Sequence, residues 1–266
     1  MMEPMDSSRA RTEESSVPAA RTKGVESARR ALQILLQFSE GRPELTVDQI
    51  LEAHAISVPS AYRYVALLRE MNLIEERGRG VFTLSPQVVR LARAAEASFD
   101  YRVEAQPILD RMRERTGESA LYVRRVNDAA VCLSISESEH AIGLSFQPGA
   151  LMPLHGGAAA KVLLADYPEP KRTQYLDRLS PPLSRSARRA LEADLDRIRA
   201  AEYSESTGEV DQGVWAAAAP VRAHGALVGA VTVAAPAYRL DAEHRREIAA
   251  AVIQGASELA RAIARG

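Results

Sequence analysis

The run "HGGAAAK", residues 155–161, places two glycines between a histidine and a stretch of helix formers that ends in a lysine. Glycine lets backbone come close to a bound molecule, and a helix beginning near Ala158 aims its unpaired first-turn amides at the same point. A carboxylate is the natural guest of such a loop. His155 has two roles open to it: contact with that guest, or a hydrogen-bonded anchor for the loop. Lys161, further along the helix, reads as a surface or interface residue. Patterns that would do covalent chemistry are missing. "GLSFQ" at 143–147 lacks the closing glycine of a nucleophile elbow, and none of Lys23, Lys161 and Lys171 has a serine three residues before it. The five histidines, at 54, 140, 155, 224 and 244, form no His-Glu-x-x-His pair and have no cysteine partners, so neither a metal nor a cofactor is expected. The single cysteine, Cys132, excludes an internal disulfide and sits in the apolar alternation "AAVCLSIS", where a small buried side chain belongs. The chain reads as a non-enzyme.

A second stretch, "SVPSAYRYVALL" at 57–68, has chemistry of another kind. Stepping 100° per residue gathers Ala61, Tyr64, Leu68 and Met71 on one side, with Val65 at the margin. Val58, Pro59, Tyr62, Arg63 and Ala66 gather on the other. The first set belongs to a core; the second is where a recognition helix meets a major groove. Ser57 is placed to cap the helix, its hydroxyl accepting from the Ser60 amide. Pro59 is tolerated because first-turn amides lack intrahelical partners anyway. Arg63 can reach a guanine edge or a phosphate, and Tyr62 can offer its hydroxyl or stack on a sugar. On the residues alone, Tyr62 and Arg63 could equally be a solvated face.

Both stretches need scaffolds, and the periodicities predict them. Residues 1–24 mix charge, Ser and Pro with almost nothing to bury, and read as a disordered tail. In "VESARRALQILLQFSE" a helical period puts Val25, Ala28, Leu32, Leu35 and Leu36 on one face, mostly opposite Arg29 and Arg30. "TVDQILEAHA" is a second helix, with Thr46 and Gln49 spaced as a capping box. "SVPSAYRYVALL" is the third, and "NLIEERGRGVFTLS" gives two short β runs around a Gly-Arg-Gly turn. Helix, helix, turn, helix, hairpin within residues 25–84 is the plan of a winged helix-turn-helix. A linker helix follows over 85–100.

Residues 101–266 open on a helix and continue with three strand candidates, "SALYVRRVND", "AAVCLSISES" and "HAIGLSFQ". The loop "PGALMPLHGG" and several helices come next, then two strands around His224–Gly225 and a closing helix from near Asp241. That order predicts an α+β module with an antiparallel sheet. The chain is 46% hydrophobic over 266 residues, enough for two cores. No apolar run approaches the roughly 18 residues of a membrane span, and no signal-peptide pattern opens the chain, so a cytoplasmic location is expected.

Three blocks in order carry a resemblance: the "SVPSAYRYVALL" helix, the "LMPLHGGAAAK" loop at 151–161, and the strand pair within "STGEVDQGVWAAAAPV" and "LVGAVTVAAP" at 206–236. From about Val25 to the end, the chain resembles the IclR family of bacterial transcriptional regulators. The resemblance implies a winged helix-turn-helix joined by a linker helix to a GAF-like effector-binding domain. It further implies a dimer or dimer of dimers on a palindromic double-stranded DNA operator, with a small organic acid as effector. Ser57, Pro59, Ser60, Tyr62 and Arg63 would then face DNA, with Arg29, Arg30 and the wing-tip Arg77 and Arg79 lining the same surface. Gly157, Ala158 and Ala159 would hold the effector through backbone amides. Ser206, Glu209, Ala216 and Thr232 fall at positions that similar proteins turn towards the pocket. Trp215 either walls that pocket or fills core.

Two features depart from the family's pattern. Ala55 stands in the turn between the second and third helices, where relatives often have glycine, so the turn must form without a residue free to go left-handed. Residues 25–84 also hold seven arginines against eight acids, a net charge of −1, where a DNA reader usually shows a basic footprint. Phosphate neutralisation dominates DNA affinity. One domain alone should therefore grip weakly, and pairing on a palindrome supplies the remainder through effective concentration. The low charge keeps a second reading open, a small-molecule sensor whose winged helix contacts protein rather than DNA.

Overall fold

The computed structural model describes residues 25–39, 41–98, 101–139 and 144–265, and the chain divides into two compact units between residues 100 and 101. The expected tail and the first half of "HAIGLSFQ" lie outside the described residues. The first unit runs α1 (Glu26–Leu35), β1 (Glu44–Thr46), α2 (Val47–His54), α3 (Val58–Glu70), β2 (Ile74–Gly78), β3 (Val81–Leu84) and α4 (Gln87–Ser98). Its sheet is antiparallel in the order β1-β3-β2, with Leu45 opposite Phe82 and Ile74 opposite Leu84. β1 has only three residues, too few for a period of two to declare itself.

Thr46 ends β1 and caps α2. Its hydroxyl accepts from the Gln49 amide at 3.3 Å, and the Gln49 carboxamide accepts from the Thr46 amide at 2.9 Å, closing the expected box. The following turn corrects an expectation, because Ala55 goes left-handed without being glycine, at φ 47° and ψ 46°. That conformation costs on the order of 1 kcal/mol, which the capped helix before it offsets. The phase of α1 is a second correction. Ala31 and Ile34 are buried, whereas Val25, Leu32 and Leu36 are 43%, 54% and 76% exposed. The segment carries two overlapping apolar stripes, and packing of Ala31, Ile34, Leu35 and Phe38 with the α3 core residues selects between them.

The second unit contains α5 (Tyr101–Thr116), β4 (Ser119–Val126), β5 (Ala129–Ser136), β6 (Leu151–Pro153), α6 (Ala158–Ala165), α7 (Glu169–Asp177), α8 (Arg185–Ala201), β7 (Ser204–Thr207), β8 (Val214–Ala223), β9 (Ala226–Pro236) and α9 (Ala242–Ile263). The six strands pair antiparallel throughout, in the order β6-β5-β4-β9-β8-β7. This is the expected α+β architecture. The third strand candidate is displaced, however: Leu144–Gln147 is not strand, and Leu151–Pro153, read as loop, is the edge strand instead. Period-two alternation divides the core between the two faces of the sheet. Ala218, Ala230 and Leu121 pack with α6 and Leu195 of α8, while Trp215, Ala217 and Val231 pack with α5 and α9.

Gly229 marks the tightest crossing in this sheet. A Cβ there would stand 2.5 Å from the Tyr122 ring and 2.7 Å from the Val123 carbonyl oxygen. Tyr122 is fully buried and donates its hydroxyl to the Val228 carbonyl at 3.0 Å, so it has nowhere to retreat. Gly229→Ala is expected to destabilise the protein by about 2–3 kcal/mol, the upper part of the overpacking range. Urea unfolding reads this directly, and an unchanged midpoint would refute the contact.

Candidate functional site

The α3 helix presents the two faces its sequence predicts. Ala61, Tyr64, Val65 and Leu68 are buried, and Val58, Tyr62, Arg63 and Ala66 are exposed. Met71 is the exception: expected in the core, it is 56% exposed because the helix ends at Glu70 and Met71 begins the turn into the left-handed Asn72. Ser57 holds the N-cap conformation, yet its hydroxyl caps no amide. It donates to the Ser60 hydroxyl at 3.0 Å, and the Ser60 amide goes to the Ser57 carbonyl at 2.9 Å. A pair of hydroxyls is thus left on the first turn beside Pro59.

The hairpin is tied to the end of α3 by one side chain. Glu76 accepts from the Gly80 amide at 3.1 Å and from Arg69 Nη1 at 3.0 Å. Arg77 and Arg79 are exposed at the hairpin tip and enter no ion pair among the described residues. Arg29 and Arg30 differ. Both are half-buried on α1 and share Glu26, at 3.4 and 3.5 Å, so part of their charge is already engaged.

In the second unit a cavity of about 60 Å³ opens between α6 and the sheet. Its walls are mainly apolar, with Leu121, Leu144, Phe146, Met152, Val214 and Ala234 prominent. Gly157, Ala158, Ala159, Ser206, Glu209, Ala216 and Thr232 all line this cavity, although the sequence spreads them over 76 positions. Asp211 also lines it, and no pattern in the sequence marked that residue beyond its place between Gly208 and Gly213. Gly157 begins α6 at φ 85°, where a Cβ would come within 2.9 Å of Val210. Only glycine suits that position.

Two amides of this loop are occupied from within the chain. Gly157 donates to Glu209 Oε2 at 2.9 Å, and Ala158 donates to Ser206 Oγ at 3.0 Å. Lys161 corrects the surface reading, for its side chain is only 4% exposed. All eight residues of α6 are buried, so a lysine there must be neutralised by partners. Its ammonium donates to Glu209 Oε1 at 2.7 Å, Asp194 Oδ2 at 2.9 Å and the Glu205 carbonyl at 3.1 Å. Thr232 donates its hydroxyl to the Ala217 carbonyl at 2.8 Å.

Trp215 and His155, each with a ligand-facing and a structural role open to it, do not line this cavity. Trp215 is buried on the opposite face of the sheet, with Ile248 and Val252 in its cluster and the Arg245 guanidinium 5.3 Å from its ring centroid. One step along β8 reverses the side-chain direction, so Ala216 can line the cavity only if Trp215 does not. His155 borders a second, wider hollow of about 370 Å³ beside Asp194 and Arg197. Its Nδ1 lies 2.8 Å from the Tyr175 hydroxyl, which accepts from the Leu154 amide at 2.8 Å. Burial holds the imidazole below its ordinary pKa and pushes the Tyr175 hydroxyl up, so both stay neutral near neutral pH. His155 is thus hydrogen-bonded to Tyr175 and lies outside the lining of the α6 cavity.

A helix-turn-helix with an exposed reading face, in one chain with a sheet domain holding a small lined cavity, defines the class of ligand-responsive DNA-binding regulators. Residues 27–78 match the profile of the IclR helix-turn-helix domain, and residues 94–261 match that of the bacterial transcriptional regulator IclR C-terminal domain. The chain belongs to the IclR family, whose members are transcriptional regulators and not enzymes. It is 28% identical to the HTH-type transcriptional regulator BhcR of Paracoccus denitrificans, over 89% of this chain and 86% of that protein. It is 22% identical to the transcriptional repressor IclR of Escherichia coli, over 91% of each. Its fold is similar to that of Thermotoga maritima IclR, with a TM-score of 0.67 at 23% identity, covering 90% of this chain and 98% of that one. An IclR homologue from Microbacterium hydrocarbonoxydans, crystallised with 4-hydroxybenzoate, gives a TM-score of 0.76 at 19% identity, covering 90% and 100%. Family membership decides between the two readings of the winged helix in favour of DNA.

Proposed function

We propose that this regulator reads a palindromic operator with paired copies of α3 and the β2–β3 hairpin tip, and that a small molecule in the α6 cavity changes its operator affinity. The observation that carries the reading is the convergence of Gly157, Ala158, Ala159, Ser206, Glu209, Ala216 and Thr232 on one cavity. Each half-site would receive Arg63 and Tyr62, with the Ser57–Ser60 hydroxyls and Pro59 against the backbone and Arg77 and Arg79 from the wing. Arg29 and Arg30 contribute less to phosphate binding while Glu26 engages them. Effector and operator occupancy are then linked equilibria, each altering the affinity for the other. A regulator that acts on the chromosome would work in the cytoplasm. The 4-hydroxybenzoate held by the Microbacterium homologue joins an apolar ring to a carboxylate. The apolar walls accord with the ring, while the hold of Glu209 on Gly157 opposes the carboxylate.

Genomic DNA captured by the full chain, sequenced with and without candidate compounds, tests the reading. An enriched inverted repeat whose recovery changes with a compound supports it; capture with no shared repeat defeats it. A fragment of residues 25–84, net charge −1, is expected to show no sequence-specific binding at physiological salt where the full chain binds. Nanomolar binding by that fragment would remove the need for pairing.

A further inference from the structure

We infer that the ligand of the α6 cavity is a small neutral molecule carrying a hydrogen-bond donor, and that Glu209 and Asp211 select it against carboxylates. The inference rests on the reading of this cavity as the effector site. Among the described residues no Lys, Arg or His lines the cavity, whereas Glu209 and Asp211 both do. Lys161 stands behind Glu209, and its contacts with Glu209, Asp194 and the Glu205 carbonyl use all three donors of an ammonium group. Nothing is left over for a ligand anion. Two of the three amides a carboxylate would seek are also in use, Gly157 by Glu209 and Ala158 by Ser206. A carboxylate would have to expel Glu209 to gain the Gly157 amide, and anywhere in the cavity it would sit beside two like charges, between apolar walls that strengthen the repulsion.

A neutral donor meets the reverse situation. Glu209 and Asp211 keep lone pairs to accept, Asp211 being otherwise engaged by the Ser145 amide at 3.2 Å. Ser206 takes the Ala158 amide on its oxygen and has its own proton left to give. Thr232 has committed its proton to the Ala217 carbonyl, so its oxygen remains as an acceptor. A primary amide, alcohol or similar group answers this set, donating to a carboxylate and accepting from Ser206. Size narrows the class further. At about 60 Å³ the cavity is less than half the roughly 150 Å³ that accommodates benzene in an engineered apolar site, so a ligand of a few heavy atoms enters without moving the walls.

Matched acid and amide pairs test this without knowledge of the natural ligand. The full chain is labelled at its methionine methyl groups, and the Met152 signal, assigned through Met152→Leu, reports occupancy of the cavity. Acetate and acetamide, isobutyrate and isobutyramide, and benzoate and benzamide are titrated near neutral pH. The smaller amides are expected to move the Met152 signal at concentrations about tenfold below their acids. Glu209→Gln and Asp211→Asn should each raise acid affinity several-fold and lower amide affinity, so that the preference for amides narrows or reverses. Asp211→Asn guards against misfolding, because Asp211 holds the Ser145 amide while Glu209 also holds Lys161. Acids that bind the wild-type chain as well as amides, or a preference unmoved by both variants, would overturn the inference. If no compound moves the Met152 signal in folded protein, the reading of the cavity as the effector site falls instead.

Discussion

Arg63→Ala is expected to weaken operator binding by roughly 30-fold or more while leaving the protein folded. A bidentate arginine contact with a base edge is worth about 1–3 kcal/mol of discrimination, and a palindrome read by two copies doubles the loss to about 2–6 kcal/mol. The winged unit has no surplus of charge to absorb that loss, since residues 25–84 carry a net −1. Folding should be unaffected because Arg63 is exposed and, among the described residues, engages only the Tyr64 ring, 5.6 Å from the centroid. Anisotropy titrations over a range of salt separate the two roles open to the side chain. Loss confined to the cognate sequence marks a base contact. Uniform loss across sequences, with the salt slope reduced by about one per copy, marks a phosphate contact. Arg29→Ala should cost less than Arg63→Ala, because Glu26 already engages Arg29 at 3.4 Å. Unchanged affinity for Arg63→Ala would remove α3 as the reading element.

What could be read from the sequence follows the range of the interaction that decides each feature. The capping box of Thr46 and Gln49 is local, and the spacing alone predicts it. The faces of α3 are legible because polar and apolar residues separate cleanly around it. Those of α1 are not, since Leu32 and Leu36 compete with Ala31 and Ile34, and only the packed core says which pair goes inside. The Ser57 cap fails through a local competitor, the Ser60 hydroxyl, which a preference for serine at that position does not include. In the C-terminal unit β8 and β9 announce themselves by length and alternation. β6 and β7, with three and four residues, do not. The alternation also leaves open which face of β8 looks at which helix layer, and so whether Trp215 or Ala216 meets the cavity.

The same limit governs the loop at 155–161. Its glycines and helix start correctly locate a set of backbone donors, but the acceptors that fill them arrive from far along the chain. Ser206 lies 48 residues from Ala158, and Glu209 lies 52 from Gly157. A short-range reading of donors therefore predicts an anion from outside, where the fold supplies one from inside. A surface or interface reading of Lys161 fails for the same reason: its partners Asp194 and Glu209 are 33 and 48 residues away.

Lys161→Met is expected to destabilise the C-terminal unit by about 2–4 kcal/mol. Breaking a fully buried ion pair costs roughly 3–5 kcal/mol, mostly through the charge left without a partner. Here the side chains of Asp194 and Glu209 are 25% and 35% exposed, so water can partly serve them and the cost is discounted. Methionine keeps most of the aliphatic stem inside α6, which confines the change to the charge. For a unit of this size the melting temperature should fall by about 5–15 °C. Pairing Lys161→Met with Glu209→Gln isolates the cause, since Asp194 keeps Arg197 at 3.0 Å while Glu209 loses its countercharge in the single variant and is neutral in the double. A double-mutant cycle should then return a favourable coupling of about 1 kcal/mol or more between the two positions. Strict additivity would mean that the 2.7 Å contact holds the Gly157 loop in place without stabilising the fold. The two possibilities differ in a second measurement. If the ion pair positions Glu209, then Lys161→Met should loosen its hold on the Gly157 amide, and hydrogen exchange at that amide should quicken even after correction for the lower global stability.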